Sequence, residues 1–444
     1  MPCTLSTQKR AHHAQTTNGW SSLIPDIVRR VGDCLLASDD LDYYIDFRAV
    51  CRNWRSTTTD PKENGTNPLF HPHNWVLLKR HEDTLTLVNV VTGRFLVKNM
   101  PLLRKYFFVS ATTNGLILLG ELACPYQARV LNPFTGSIVD FKVCIPSERI
   151  REVVVTTSPM MIFISSDVQN SIMWADQNSE CFCHFKVDYP DRFLSIASYA
   201  GNVYLTNRQG SILSISRSGT IGEGATSSQN ITIATTIPCF DPTTSWSFHR
   251  PRYLVESGGE LLLVTKPLWR TMGQLVVQRV DTKKNVLEPM RSIGNCALFI
   301  SCVRCLSIDA NKFHTVDSDY IHFVVDPDLT GSESEFIDTF CVSNGEQDLM
   351  WDMSTRRNCF HPFTLTQDFV DYCKLKQRSE EDLMILDDNY LLYSFESDEE
   401  SSESDEGSSG SDEGSFDCNE GSFESDEASS VYDEGSSESH EGSN

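Results

Sequence analysis

The side chains best able to do chemistry are cysteines and histidines. Cys302-x-x-Cys305 has the spacing of half a zinc site, and Cys181-Phe182-Cys183-His184 places two thiols and an imidazole within four positions. Neither has a second pair at zinc-ribbon distance. The first lies in the apolar run Ala297 to Ile308, which reads as extended; residues three apart on a strand point to opposite faces, so the two sulfurs would not converge. The second would put both cysteines on one strand face but lacks distant partners. Neither is read as a metal site, and no cofactor is expected. His71-Pro72-His73 and His322 stand alone, and a lone histidine is more often structural than catalytic. A Gly-rich phosphate loop, His-Glu-x-x-His and Gly-x-Ser-x-Gly are all absent. No catalytic residue is nominated, and the chain is not expected to be an enzyme.

The 444 residues allow two to four domains and a large core. The net charge of −24 is unevenly placed: from Ser394 to Asn444 there are 18 acidic residues and no Lys or Arg. There Glu399-Glu-Ser, Glu406-Gly-Ser, Glu413-Gly-Ser, Glu420-Gly-Ser, Glu427-Ala-Ser, Glu434-Gly-Ser and Glu441-Gly-Ser recur every seven residues. No position of this repeat is apolar throughout, so it is no coiled coil, and its high charge predicts a disordered tail over 394–444. Ser397, Ser402, Ser409 and Ser430 each precede an acidic residue by three, the pattern acidophilic kinases accept, and phosphorylation would deepen the charge. The tail reads as solubilising, with capture of basic proteins as the alternative. With most of the negative charge in the tail, the case against a nucleic-acid partner rests on the missing basic patches rather than on the overall charge, and no apolar run approaches a membrane span. Residues 1–19 read as a disordered leader; a transit peptide is the alternative, with Lys9 and Arg10 but no amphipathic pattern. Fifteen cysteines scattered among core-like segments fit small buried hydrophobes in a reducing compartment, nucleus or cytoplasm.

The elements that would carry a site change character along the chain. Over 20–56 the pattern is helical. Ile27, Val28, Val31 and Leu35 form one stripe behind Pro25, Ser38-Asp39-Asp40 supplies a break and a cap, and Phe47, Val50, Cys51 and Trp54 form a second stripe. Three short helices bury little by themselves and need something to dock on. Residues 57–69 read as a linker. From 70 to 393 short β-rich runs alternate with turn residues. Leu87 to Phe95 is echoed 43 residues later by Val130 to Ile138, each a strand, a turn from Asn to Gly, and a strand. A second unit, Gly followed by a strand, recurs at Gly115, Gly201 and Gly259. Such a period predicts a β-propeller of about six or seven blades, with paired β-sandwiches as the alternative. The expected fold is thus mainly β: a small three-helix domain, a propeller-like domain and an acidic tail.

The segment Trp20-Ser-Ser-Leu23-Ile24-Pro25-Asp26-Ile27-Val28 and the closing Phe47-Arg48-Ala49-Val50-Cys51-Arg52-Asn53-Trp54-Arg55 resemble an F-box, with Ile24 where that family usually has its proline. The following region is similar to plant F-box proteins with a KIB-type propeller-like domain, through Leu131 to Gly136, Val153 to Pro159, Tyr253 to Val264, Ile293 to Phe299 and His361 to Thr364. Asp309 to Tyr320 departs from that family's usual Pro- and Gly-containing loop. The resemblance implies a substrate receptor of a Skp–cullin–F-box ubiquitin ligase, in which the F-box docks on a Skp-type adaptor and through it a cullin. The second domain would capture a protein substrate. Carried over by position, it makes Leu23, Pro25, Ile27, Val28, Val31, Leu41, Val50, Cys51 and Trp54 adaptor-contacting or surface-shaping residues. Trp174, Trp246, Trp269 and Trp351 are substrate-binding candidates, with packing between blades as the alternative for each. A non-ligase scaffold is the competing reading.

Overall fold

The computed structural model describes residues 19–38, 41–63, 67–81, 83–147, 150–166, 171–186, 193–207, 211–218, 230–238, 251–266, 275–324, 336–345, 347–352 and 365–374. The chain divides into Met1–Tyr390 and Leu391–Asn444, and every described residue lies in the first unit. The acidic tail, with Ser397, Ser402, Ser409 and Ser430, lies outside the described residues, as does the leader to residue 18.

From Trp75 to Asp352 the described strands form six sheets, the blades of a six-bladed propeller, which settles the expected six or seven. The four blades over 106–144, 150–186, 193–237 and 252–290 are four-stranded antiparallel meanders. The first, over 75–99, has three strands, and the last, over 296–352, has five. Strands Tyr106–Ala111, Ile150–Thr157, Phe193–Tyr199, Arg252–Ser257 and Cys305–Asp309 contact one another in succession and line the ring's inner edge. Central strands are buried on both faces, which is why Met160 to Ile164 and Leu261 to Val264 read as unbroken apolar runs rather than alternating ones. Among the described residues five apolar clusters hold the ring, each joining adjacent blades. Val154, Phe163 and Trp174 of the third blade, for example, meet Ile196, Leu205 and Leu213 of the fourth.

The sequence echo is a turn that recurs in the last hairpin of a blade. Asn89 Oδ1 accepts the N–H groups of Val91 and Thr92 at 3.0 and 2.9 Å, and Asn132 Oδ1 accepts those of Phe134 and Thr135 at 3.0 and 3.3 Å. Gly93 and Gly136 close the two turns at φ of 73° and 70°, the left-handed region that favours glycine. Asp176 and Asp281 make the same Asx turn in the third and fifth blades.

Among the described residues four α-helices flank the propeller: α1 (Pro25–Ala37), α2 (Leu41–Ala49), α3 (Arg52–Thr57) and α4 (Leu365–Lys374). The second predicted stripe is not one helix. The chain breaks at Val50 and Cys51, and Cys51 becomes the N-cap of α3, its sulfur accepting the Trp54 N–H at 3.4 Å. The Phe47 and Trp54 rings still stack across the break at 4.4 Å. The expected linker is anchored in its first half: buried Arg48 donates to the carbonyl oxygens of Thr58 and Thr59 and to Asp60 Oδ2 at 2.7 Å. Helix α4 stands where continued strands were expected. Cys302 and Cys305 flank a tight hairpin turn between Cys296–Ile300 and Cys305–Asp309, not one continuous strand.

Candidate protein-binding surfaces

Pro25 starts α1 at a position whose N–H has no helical partner, and its ring holds Ile24 extended (φ −63°, ψ 142°). Gly32 lets α1 approach α2 closely; a Cβ there would lie 3.2 Å from the Tyr44 ring. The turn before α1 is tied to α3: Trp54 Nε1 donates to Trp20 O at 3.1 Å, and Asn53 Nδ2 to Ser21 O at 3.0 Å.

One side of this helical unit is mounted on the first blade. Leu41 and Tyr44 belong to the same apolar cluster as Phe70, Trp75 and Leu87, and Leu35, Leu36 and Ile45 pack against it. Arg94, in the first blade's last turn, pairs with Asp42 at 2.6 Å and lies 3.8 Å over the Tyr43 ring. Asn132 Nδ2 of the second blade donates to Phe70 O at 2.7 Å.

The other side carries apolar groups in water. Trp20 is 77 % exposed, Ile24 62 % and Val50 59 %, with Ile27, Val31 and Tyr43 also exposed. Ile24, Ile27 and Val31, at i, i+3 and i+7, share one face at the start and along α1. The nine carried-over residues therefore separate. Pro25, Ile27, Val31 and Val50 are exposed, Leu23 and Cys51 are half-buried, and Val28, Leu41 and Trp54 are buried and can only shape the surface. Trp20, Ile24 and Tyr43 are surface groups absent from that set. Their signal was an apolar type beside the stripe rather than in it.

Among the tryptophans, Trp174 is corrected. It is buried between the third and fourth blades and offers no surface to a partner. Trp246 and Trp269 lie outside the described residues; Trp351 sits on strand Gln347–Asp352 opposite Ile337, its side chain outside the description.

At the ring's inner edge one carboxyl links three blades. Glu152 of the third accepts the Ile196 N–H at 2.6 Å and the Ser195 hydroxyl at 3.2 Å, and Ser195 Oγ accepts the Leu254 N–H of the fifth blade at 3.2 Å. Burial pushes Glu152 up to about 8, against the opposing pull of these hydrogen bonds and of Arg151. Burial likewise pushes the Cys305 thiol up, and Cys373 up to about 12, so both stay protonated and unreactive at neutral pH. His322 is driven down to about 4 by burial; its Nδ1 lies 3.1 Å from Thr339 Oγ1 and its ring stacks on Phe299. Among the described residues no group of three or more His, Cys, Asp or Glu could hold a metal ion. Cys181 is exposed and Cys183 half-buried at a strand end. None of the described helices is long and apolar enough to cross a membrane.

No curated protein matches the chain in sequence. Among solved structures it is similar to the propeller domain of Cps50 (Swd1) from Myceliophteria thermophila, at 10 % identity and TM-score 0.31, over 61 % of this chain and 83 % of that one. It is also similar to BamB from Moraxella catarrhalis, at 10 % identity and TM-score 0.30, over 62 % and 77 %. A third is virginiamycin B lyase from Staphylococcus aureus, in catalytically inactive form with quinupristin, at 13 % identity and TM-score 0.28, over 47 % of this chain. The chain spans 62 % of that lyase's length. The KIB1-4 beta-propeller family model matches residues 54–346, well over half of the sequence, and the chain belongs to that family.

Proposed function

We propose that this protein is the substrate-receptor subunit of a Skp–cullin–F-box ubiquitin ligase. In this reading residues 20–56 are the F-box, which docks on a Skp-type adaptor and through it a cullin. The propeller captures a protein substrate, and the chain itself catalyses nothing. A membership in a propeller family points to protein binding, and the helical unit supplies the rest of the argument. The observation that carries the reading is the unit's two-sidedness: Leu41 and Tyr44 fasten it to the first blade, while Trp20, Ile24, Ile27, Val31 and Val50 are held out in water. Apolar groups in that arrangement suit a partner, and a partner bound there would stand in a fixed orientation to the propeller. Action in the nucleus or cytoplasm follows from this reading.

The test is affinity purification of the full chain and of the Ile27→Asp/Val31→Asp variant. The full chain is expected to recover a Skp-type adaptor and a cullin, and the variant to lose both by at least about tenfold, with proteins held by the propeller retained. Undiminished adaptor in the variant, or no adaptor with the full chain where a control F-box protein recovers one, refutes the assignment.

A further inference from the structure

Among the described residues the first blade is short by one strand, and three observations say which. The Asx turn at Asn132, Asp176 and Asp281 joins the third and fourth strands of its blade, whereas the same turn at Asn89 joins the second and third. A left-handed residue precedes the second strand in other blades: Gly115 before Ile117–Glu121, Gly201 before Asn202–Asn207, Gly259 before Glu260–Thr265. In the first blade Asn74, at φ 62°, precedes the first strand, Trp75–His81. Trp75–His81 therefore occupies the second position, and the innermost position has no strand among the described residues. Thirdly, Arg304 of the last blade donates from Nη2 to Ser110 Oγ of the second blade at 3.2 Å. Those blades are not neighbours in the ring, so the bond crosses the place where the first blade's inner strand would run.

Helix α4 lies in that gap. It contacts Trp75–His81 on one side and Cys305–Asp309, Cys296–Ile300 and Tyr320–Val324 on the other. Phe369, Val370, Tyr372 and Cys373 are fully buried, and the Phe369 ring meets Phe299 at 5.3 Å and Phe313 at 5.1 Å. The last turn is capped by the sixth blade: Ser301 Oγ donates to Cys373 O at 2.9 Å and Arg304 Nη1 to Tyr372 O at 3.2 Å. Arg304 is buried and has no carboxylate partner among the described residues. The negative end of α4 and the Tyr372 ring, 5.1 Å from the guanidinium carbon, are what offset its burial.

We propose that α4 stands in for the first blade's missing inner strand and is the clasp that closes the ring. The seam between first and last blades is then sealed by a segment that follows all six blades in sequence and lies beyond the residues matched by the family model. Because α4 shares one apolar cluster with Leu41 and Tyr44, the clasp also underpins the seat of the helical unit.

Peptide-resolved hydrogen exchange on the full chain tests this with two variants, Ser301→Ala/Arg304→Met, which removes the cap, and Phe369→Ala, which leaves the cap and empties the packing. Both are expected to speed exchange on the order of tenfold in 365–374, 75–81 and 305–309, with 160–166 and 202–207 unchanged. Acceleration confined to 365–374 would make the helix a mere appendage and overturn the proposal. A uniform rise across all blades, or no change at 75–81 and 305–309, would overturn it as well. Should either variant fail to fold, Arg304→Lys, which keeps the charge and loses the planar fork, is expected to give the same regional pattern at smaller amplitude, and the same outcomes decide.

Discussion

The helical unit and the propeller place the same kinds of side chain differently. In the propeller, Val, Ile and Leu from neighbouring sheets close against one another. The first-blade outer strand, with Phe95 and Val97, is the main stretch that holds large apolar groups out. In the helical unit, adjacent residues of α1 divide: Val28 is 0 % exposed, while Ile27 is 40 % exposed. A ring of sheets can bury both faces of its strands internally, whereas three short helices have only one neighbour to lean on and leave a face for something else. The sharpest way to break this contrast is to put a charge at each of the two positions. Val28→Asp is expected to cost on the order of 4 kcal/mol in chemical denaturation, because an unpaired carboxylate would sit among apolar atoms. Ile27→Asp is expected to stay within about 0.5 kcal/mol of the parent. Equal losses would mean that Ile27 is as much a core residue as Val28, and that the exposed face has no separate role.

The same contrast governs what could be read in advance. The turn at Asn89 and Asn132 was legible because both the Asn and the closing Gly are present twice at blade spacing. Its versions at Asp176 and Asp281 were not, since Asp does the same work without a matching Gly. The stripe Ile27, Val28, Val31, Leu35 showed a helix but not its orientation, because periodicity reports that a face is apolar and not whether protein or water covers it. Helix α4 reads as extended in sequence because Phe369-Val370-Asp371-Tyr372-Cys373 is dense in β-favouring types. Phe369, Tyr372 and Cys373 nevertheless keep helical spacing, i, i+3 and i+4, and that face is buried between the first and last blades. The Cys302–Cys305 turn is hidden in the sequence for a related reason: a hairpin with apolar residues on both sides of its turn reads as one long strand. The exclusion of Trp174 as a surface group likewise needed the fourth blade, whose contribution no local pattern announces.

Within the propeller, Glu152 is a buried polar group set among apolar packing, and its titration sharpens the comparison. Its carboxyl titrates near 8 when folded against an ordinary value of 4.5, so between those values the folded state holds a proton that the unfolded chain releases. This contribution to stability is complete below the unfolded value and is lost as pH rises through about 8. Glu152→Gln mimics the protonated acid, with its carbonyl oxygen facing the Ile196 N–H and its amide facing Ser195 Oγ. It is expected to flatten the fall in stability between pH 5 and 8.5, leaving the variant about 2–3 kcal/mol better placed relative to the parent at the upper end than at the lower. Urea midpoints across that range measure it. A parallel offset at every pH would show that Glu152 is ionised in the fold and that the three inner strands are held by a charged carboxylate instead.

The smallest expected difference separates the two echoed turns, and it probes the seam. Gly93 and Gly136 have the same left-handed backbone, so alanine at either one is strained by about 1 kcal/mol. Their surroundings differ: a Cβ on Gly136 meets nothing within 4 Å, while one on Gly93 lies 3.0 Å from the carbonyl oxygen of Lys312, just past the last blade's inner strand. The Asp309 N–H already donates to Val90 O at 3.0 Å there, so the first blade's turn and the end of the last blade are held in close register. Gly93→Ala should therefore exceed Gly136→Ala by about a further 1 kcal/mol in chemical denaturation. Its excess should be accompanied by faster hydrogen exchange at 305–309, which Gly136→Ala leaves alone. If the two variants behave alike, Lys312 yields without cost, and the first and last blades meet more loosely than the inner strands of the third, fourth and fifth.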